Sequence, residues 1–241
     1  MILEKKSLHL IQNWIEIALT DGAIALIDKD KDWTSFDVVA KLRNVFRIRK
    51  IGHTGTLDPL ATGLLILCFG KLTKTIDSYL GLNKSYAAVI KLGAKTISDD
   101  AETEETDFKT LDNLLESDII STINSFLGDI EQTPPDFSAK WINGRRSYIL
   151  ARKKVKIENK AQIVTIHKIN INKIELPYIE VDFECSKGTY IRALARDIGS
   201  KLGCGAYLYN LRRTKIGDYS IDNALKISEI EQQICFNNSM L

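Results

Sequence analysis

The sequence is poor in the residues that build metal centres and disulfide frameworks. Its 241 residues include four cysteines and three histidines, and no two cysteines form a C-x-x-C pair. A zinc site is therefore not expected, and no metal ligand is predicted. Cys68 and Cys185 lie in apolar, strand-like runs, where a buried and reduced thiol is the usual state. We therefore expect a protein of a reducing compartment, the cytoplasm.

Long apolar runs are missing from the N-terminus. Charged residues interrupt the first 21 positions too often for a signal peptide or a membrane span. We interpret residues 1–21 as an N-terminal helical extension, with Leu8, Ile11 and Ile15 on its apolar stripe.

An excess of charge of one sign is missing as well. The chain has 33 Lys and Arg against 31 Asp and Glu, so net charge does not indicate a nucleic-acid partner. The distribution is uneven, because residues 140–160 hold eight cations and one acid, and residues 41–50 hold five cations. Two such runs fit a phosphate backbone, although either could be a solvated face. For the acidic run at residues 99–107 we favour the solvated face.

The apolar patterns predict strands and helices in a mixed order. Strands are expected over residues 22–28, 62–69, 85–93, 162–176, 178–186 and 205–217, and helices over 34–46, 110–128, 186–203 and 227–234. Strands outnumber helices and come in consecutive pairs, which predicts an α+β protein with a largely antiparallel sheet. Residues 130–160 mix Pro, aromatic and basic residues and are interpreted as a projecting excursion of loops and short helix.

The segment "GHTGTLDPLATGLL" places three glycines and an Asp-Pro pair before a buried strand. Glycine allows a ligand to approach closely, and Pro59 keeps Asp58 out of the helical region, so the carboxylate has a fixed direction. Alone, this pattern is better explained by a simple turn at Asp58 and a core or capping residue at His53, because Asp-Pro turns are common.

A second segment, "SKGTYIRALARD", changes that balance. A guanidinium from Arg192 close to Asp58 would hold the carboxylate ionised, as attack on a sugar carbon or an electron-poor ring requires, although Arg192 could be a surface cation. By its spacing alone, Tyr86 is interpreted as a core aromatic; if the ligand is an extruded nucleobase, its ring would be a stacking surface.

These segments resemble, in order, three motifs of the TruB family of bacterial tRNA pseudouridine-55 synthases. The first is "GHTGTLDPLATGLL"; the later ones are "KSYAAVIKLGAKTISDD" and "CSKGTYIRALARDIGSKLGCGAYLYNLRRTKIGDYS", and the likeness covers about residues 22–221. It implies the pseudouridine synthase fold, a mixed, mainly antiparallel sheet flanked by helices. It also implies isomerisation of uridine 55 in the tRNA T-loop, with the target base flipped out of its stack.

The resemblance further implies roles for individual residues. Asp58 would be the catalytic aspartate, Tyr86 the aromatic stacked on the base, Arg192 the partner of Asp58, and His53 the residue that helps the base leave its stack. The remaining substrate or RNA contacts would be Thr56, Tyr190, Lys187, Lys29, Arg145, Arg146 and Lys153. No metal or other cofactor is implied. The expected partner is the T-arm of tRNA, no membrane partner is expected, and the protein is expected to be a monomer.

The resemblance also suggests a domain plan. Residues 22–222 would form the catalytic domain, residues from about 130 to 160 an RNA-binding insertion that closes over the T-arm, and residues 223–241 a short helix and tail. Those last residues are too few for the small RNA-binding domain that many members carry there. Asp30 stands where the family usually has proline.

Two other functions fit the sequence less well. One is a tRNA-binding or tRNA-folding factor in which catalysis is incidental or lost. The presence of Asp58, Tyr86 and Arg192 argues against a loss of catalysis. The other is a glycosidase-like enzyme with paired carboxylates, for which no second acid stands near the motif.

Overall fold

The computed structural model describes residues 1–137, 141–142, 145–146 and 159–239. The chain divides into two compact units, the first formed by Met1–Lys84 with Arg212–Leu241 and the second by Ser85–Leu211. The long strand Ala206–Ile216 runs through the boundary between them.

The strands, in chain order, are β1 (Ile2–Leu3), β2 (Ala23–Lys29), β3 (Ile51–His53), β4 (Thr62–Phe69), β5 (Lys84–Leu92), β6 (Lys95–Thr96), β7 (Glu105–Thr106), β8 (Gly128–Gln132), β9 (Trp141–Ile142), β10 (Arg145–Arg146), β11 (Gln162–Glu175), β12 (Tyr178–Cys185), β13 (Ala206–Ile216) and β14 (Tyr219–Ser220). The α-helices are α1 (Ile11–Thr20), α2 (Ser35–Phe46), α3 (Ile76–Leu80), α4 (Glu116–Asn124), α5 (Ile191–Lys201) and α6 (Ile227–Ser239). Short 3₁₀ helices cover Lys5–Leu10, Gly70–Thr75 and Ile221–Asn223.

The sheet of the first unit has the order β1-β2-β4-β13, with β3 also paired to β4 and β14 to β13. Strands β2 and β4 run antiparallel with Leu26 opposite Ile66, whereas β1 pairs with β2, and β13 with β4, in parallel. Apolar clusters cover both faces of this sheet. That burial is why the sequences of β2 and β4 are continuous apolar runs rather than alternating ones.

Aromatic rings form the centre of the larger cluster. Trp14 of α1 lies 5.0 Å from Phe46 and 4.8 Å from Phe69 between ring centroids. The Trp14 indole nitrogen donates to the carbonyl of Ile24, and Leu3 of β1 is fully buried in the same cluster. The N-terminal residues are therefore part of the core of the first unit, and β1 is a strand that the sequence analysis did not predict.

The second unit has the strand order β13-β5-β12-β11-β8. Strands β11 and β12 form a long antiparallel pair, and β8 adds to β11 in antiparallel register. Helix α5 packs closely against the start of β13 at Gly199. A Cβ on Gly199 would lie only 2.1 Å from the amide nitrogen of Ala206. Only glycine fits that position.

Most predicted elements are confirmed, but some helix boundaries differ: α5 begins only at Ile191, and α6 continues to Ser239. The helix expected over residues 110–128 extends only over Glu116–Asn124, and Gly128 begins strand β8 instead of ending a helix. Gly128 has a φ of +94°, a conformation as suitable for entering a strand as for ending a helix. In the predicted excursion, Trp141–Ile142 and Arg145–Arg146 pair as a two-stranded ladder.

The fold class is as predicted, a mixed and mainly antiparallel sheet flanked by helices. Cys68 and Cys185 are buried, also as predicted, and burial raises the pKa of the Cys68 thiol to about 11. In the ranges that the structure describes, no helix has the length and apolarity to cross a membrane.

Candidate active site

The segment between β3 and β4 carries Asp58 in a turn with unusual backbone geometry. Gly55 has a φ of +138° and Gly63 a φ of +107°, both in the region that favours glycine. Asp58 is half-buried, and its carbonyl accepts a hydrogen bond from the Ala61 amide at 3.1 Å. Side chains from α2, β2 and β13 hold this turn from different sides.

Helix α2 holds the residue before Asp58. The buried hydroxyl of Ser35 accepts from the Leu57 amide at 2.9 Å and donates to the Leu57 carbonyl at 3.3 Å. Ser35 is the first residue of α2, and the predicted capping box at its start is present between Thr34 and Asp37. The cap thus fixes the helix end from which Ser35 reaches the turn.

Strand β2 holds the residue after Asp58. The amine of Lys29 donates to the carbonyls of Asp30, Trp33 and Pro59, the last at 3.2 Å. The Asp32 amide donates to the same Pro59 carbonyl at 2.8 Å. The loop after β2 is therefore bound to the Asp-Pro pair.

Strand β13 supplies the third fixed point, Arg213. Its guanidinium is almost fully buried and donates to the carbonyl of Leu64 at 2.7 Å, of Gly55 at 3.2 Å and of Thr56 at 3.4 Å. A Cβ on Gly63 would lie 2.3 Å from the Arg213 carbonyl, so glycine is required where β4 meets β13. The sequence analysis missed Arg213, and its place in an Arg-Arg pair of a long strand did not distinguish it.

We expect Arg213→Met to loosen the turn. The change leaves three carbonyls without their donor, which should cost about 2–4 kcal/mol of stability, and a displaced Asp58 should lower kcat about 100-fold. Urea unfolding and steady-state kinetics measure the two effects.

The control for this change is Arg212→Met at the neighbouring position. Arg212 is partly exposed and pairs with Asp28, so its loss should cost only about 1 kcal/mol. Equal effects of the two substitutions on kcat would contradict the assignment of Arg213 to the turn.

Lys29, predicted as an RNA contact, is fully buried. Burial lowers the pKa of its amine to about 8, and the nearby carboxylate of Asp58 is the largest of the charges that oppose this shift. Three backbone acceptors and no exposed surface favour a structural role for Lys29 over the RNA contact.

Lys29 should make stability depend on alkaline pH. Its folded pKa of about 8 lies below the unfolded value of about 10.4, so between these limits the unfolded chain binds the proton that the folded chain has lost. The free energy of unfolding of the wild type, relative to that of Lys29→Met, should therefore rise with pH in that window by at most about 1.4 kcal/mol per pH unit. Below that window the difference should not change with pH. Urea unfolding at pH 7 to 10 tests this, and parallel curves for the two proteins would contradict it.

The loop at Asp30, where the family usually has proline, is held by charges. Lys226 pairs with Asp30 and also, at 3.1 Å, with Asp28. Arg212 donates to both carboxylate oxygens of Asp28, at 3.1 and 2.9 Å. These ion pairs anchor the end of β2 and the residue after Lys29 without a proline.

In the second unit, Arg192 is buried at the start of α5. Its guanidinium donates to the carbonyls of Ser98 at 3.0 Å and Phe137 at 2.7 Å, and its Nε lies 3.5 Å from a carboxylate oxygen of Asp100. Asp100 is itself buried and accepts from the Ser98 hydroxyl at 2.6 Å. Arg192 is thus not a surface cation.

The acidic run is not simply a solvated face, contrary to expectation. Besides Asp100, Asp99 is largely buried and accepts from Arg196 at 3.0 Å. Burial raises the pKa of Asp99 to about 6, against the opposing charge of Arg196. A run of acids gives no sign of which members face inward, so the sequence could not identify these two.

Tyr190 precedes α5 and is fixed through its backbone. Its amide donates to the side chain of Gln132 at 2.8 Å, and its carbonyl accepts from the same side chain at 3.1 Å. Lys187 is exposed, and the Tyr86 and Tyr190 residues are half-buried.

The structure brings the predicted residues together in two groups. The first unit holds His53 at the end of β3, Thr56 and Asp58 in the turn that follows, and Lys29, which contacts that turn at Pro59; Thr56 is exposed. The second unit holds Tyr86, Lys187, Tyr190 and Arg192. The pairing of Arg192 with Asp58 stays a prediction. Lys153 lies outside the described residues, as do the side chains of Arg145 and Arg146.

Two family models match the chain. Residues 43–191 match the TruB family pseudouridylate synthase N-terminal domain, and residues 192–240 match the tRNA pseudouridylate synthase B C-terminal domain. The second match begins within α5 and includes β13 and α6.

Curated proteins and a solved structure are also similar to the chain. A tRNA pseudouridine synthase B of Chloroherpeton thalassium is 49% identical over 89% of this chain and 91% of its own length. One of Chlorobaculum tepidum is 45% identical over 92% of this chain and 95% of its own length. A chain in the structure of an H/ACA RNP bound to a substrate RNA containing 2′-deoxyuridine aligns with a TM-score of 0.70 at 24% identity, over 94% of this chain and 58% of that one.

Proposed function

This chain belongs to the TruB family of pseudouridylate synthases, and we propose that it converts the uridine at position 55, in the T-loop of tRNA, into pseudouridine. The coarser activity, isomerisation of uridine in tRNA, is that of its relatives, which are named tRNA pseudouridine synthase B. The observation that supports the proposed chemistry is the turn at Asp58, held from α2, β2 and β13. The T-loop position rests on the resemblance of the three sequence motifs to this family.

A turn held in this way suits a carboxylate that must meet one atom of a large substrate. Ser35 fixes Leu57 on one side of Asp58, and Lys29 fixes Pro59 on the other. The Asp58 carboxylate therefore needs little reorganisation when the nucleotide arrives, which favours reaction over mere binding.

The proposed reaction rearranges one nucleotide and consumes nothing. The bond between N1 of uracil and C1′ of ribose breaks, the uracil turns, and C5 forms a new bond to C1′. C5 then gives up its proton, N1 gains one, and no redox partner is needed. Asp58 could begin the sequence by attack on C1′, by addition to the ring, or as the base that removes a 2′ hydrogen to give a glycal.

The target base has to leave its stack before Asp58 can reach the sugar. We assign His53, five residues before Asp58, to occupy the space that the base leaves, and Tyr86 to stack on the flipped uracil. Tyr190 and Thr56 would contact the same nucleotide or its neighbours. Base flipping, Tyr86 stacking and these contacts are parts of the proposal.

Arg192 is assigned as the partner that keeps Asp58 ionised. Its guanidinium is buried and oriented by two carbonyls and the Asp100 carboxylate, so a shift in position would cost those bonds. A charge fixed in this manner can stabilise a second carboxylate without reorganising.

The proposed partner is the T-arm of tRNA, bound by a monomer in the cytoplasm without a cofactor. Lys187 is exposed before α5 and is available to phosphate. Arg145, Arg146 and Lys153 are assigned to the same backbone because of the basic run that contains them.

The T-arm proposal is tested with isolated RNA hairpins. The protein is incubated with a full tRNA transcript, its T-arm hairpin or its anticodon hairpin, and pseudouridine is mapped by carbodiimide labelling and primer extension. We expect modification of the T-loop uridine in the first two, with kcat/KM for the T-arm hairpin within about tenfold of the full tRNA. Modification of the anticodon hairpin, or of a uridine elsewhere in the tRNA, would contradict the proposal.

A further inference from the structure

The basic run that ends helix α2 forms a surface concavity with no assigned ligand. This concavity, the Arg43–Arg49 pocket, has a volume of about 560 Å³ and is lined by Arg43, Asn44, Arg47, Ile48 and Arg49. Arg47 and Arg49 are exposed, as is Lys50 directly after them. Between Asp37 and Asp58 the sequence contains no acidic residue.

The cations of this pocket have no acidic partner among the described residues. In the part of the chain that the structure describes, Arg43, Arg47, Arg49 and Lys50 form no ion pair, whereas Lys41, two residues before Arg43, pairs with Glu231. The Nε of Arg43 is buried and has no hydrogen-bond partner among the described residues. Four positive charges therefore lie together without a counter-charge among the described residues, and the positive potential of such a cluster attracts anions.

A helix C-terminus explains only part of this arrangement. Cations near the last turn interact favourably with the helix dipole, which would account for Arg43 and Arg47. Arg49 and Lys50 lie beyond α2 and have no helix end of their own. Arg47 has a φ of +55° at the C-cap, where glycine is usual, so the chain accepts some backbone strain to keep a cation there.

The pocket is next to the turn that carries Asp58, within the same unit. Arg43 donates to the Ile51 carbonyl at 3.4 Å, and its guanidinium lies 5.8 Å from the centre of the Phe36 ring. Ile51 begins β3, which ends at His53 and leads into the turn. Lys50 and His53 are three residues apart, so their Cα atoms are at most about 11 Å from each other.

We infer that the Arg43–Arg49 pocket, together with Lys50, binds backbone phosphates of the substrate tRNA beside the nucleotide held by the turn. This inference rests on the proposed function, because the RNA that brings a uridine to Asp58 brings its charged backbone past β3. Exposed guanidinium groups in a concave and acid-free surface match phosphodiester oxygens better than base edges.

The test is a triple substitution, Arg47→Gln with Arg49→Gln and Lys50→Gln. Glutamine removes the charges but keeps an unbranched polar side chain, and at position 47 it adds little strain beyond that of arginine. Arg43 is kept because it contacts Ile51. The matched control is Lys5→Gln with Lys6→Gln and Lys71→Gln, which removes the same charge from exposed positions of the same unit. Binding of an unmodified tRNA transcript is measured from about 50 to 300 mM salt, with the steady-state kinetics of both variants.

We expect the pocket variant to bind at least about tenfold more weakly at 100 mM salt, with a salt slope shallower by about 2–3 units because up to three phosphate contacts are lost. The activity loss should appear in KM rather than kcat, and the control should resemble the wild type. Affinity and slope equal to those of the control would overturn the inference, and so would a fall in kcat with unchanged affinity. If the wild type makes no pseudouridine, the proposed function fails. If the wild type makes pseudouridine but the pocket variant binds tRNA as tightly as the control does, only this inference fails.

Discussion

Replacing Asp58 with asparagine is expected to lower kcat for pseudouridine formation by about 10⁴-fold or more. Asparagine keeps the shape of the side chain and all the contacts that fix the turn through Leu57 and Pro59, but it removes the charge that attacks or accepts a proton. Release of tritium from tRNA labelled at C5 of uridine measures the loss, because C5 gives up its hydrogen when it bonds to ribose. The Kd for tRNA should stay within a few-fold of the wild type.

Asp32→Asn is the matched control for Asp58→Asn. Both carboxylates interact with the charge of Lys29, but Asp32 is exposed and has a φ of +66°, which asparagine tolerates. This variant should keep kcat within a few-fold of the wild type. Retained turnover in Asp58→Asn, or an equal loss in Asp32→Asn, would contradict the role of Asp58.

The second large effect is expected for Arg192→Met. The substitution leaves the Asp100 carboxylate buried without its cation, which should lower the free energy of unfolding by about 3–5 kcal/mol. It also removes the charge assigned to stabilise Asp58, so kcat should fall by about 10³-fold. Urea unfolding and single-turnover kinetics on saturating tRNA measure the two effects separately.

The double variant Arg192→Met with Asp100→Asn separates structure from catalysis. Neutralising Asp100 removes the unpaired buried charge, so the double variant should regain a large part of the lost stability. Activity should stay low, because the double variant still lacks the guanidinium that we assign to Asp58. If kcat recovers together with stability, Arg192 acts only through folding and its pairing with Asp58 is wrong.

The local elements of the first unit could be predicted because their signals are local. The cap at Thr34 and the continuous apolar runs of β2 and β4 each depend on neighbours in the chain or on burial of both faces. The turn at Asp58 was predicted for the same reason, because the glycines and Pro59 that shape it lie within a few residues of Asp58, whereas the catalytic role of Asp58 came from the resemblance of the three motifs. Short-range patterns therefore identified the turn but not what holds it.

Contacts between residues that are distant in the chain could not be predicted from the sequence. Arg213 reaches Gly55 across 158 positions, and Arg192 reaches Ser98 across 94. Neither pairing leaves a periodic pattern, so Arg213 was overlooked and Asp100 was taken for part of a solvated face. Strand β1 was missed because two residues are too few to show an alternating pattern.

The most direct test of the account is the position of pseudouridine in one tRNA transcript treated with the wild type and, in parallel, with Asp58→Asn. Carbodiimide labelling followed by primer extension reads every uridine in a single experiment. We predict one new stop at the T-loop uridine with the wild type and none with the variant. Bound tRNA without a stop in the wild-type lane would contradict the account, since it would leave the turn at Asp58 as a binding scaffold without chemistry.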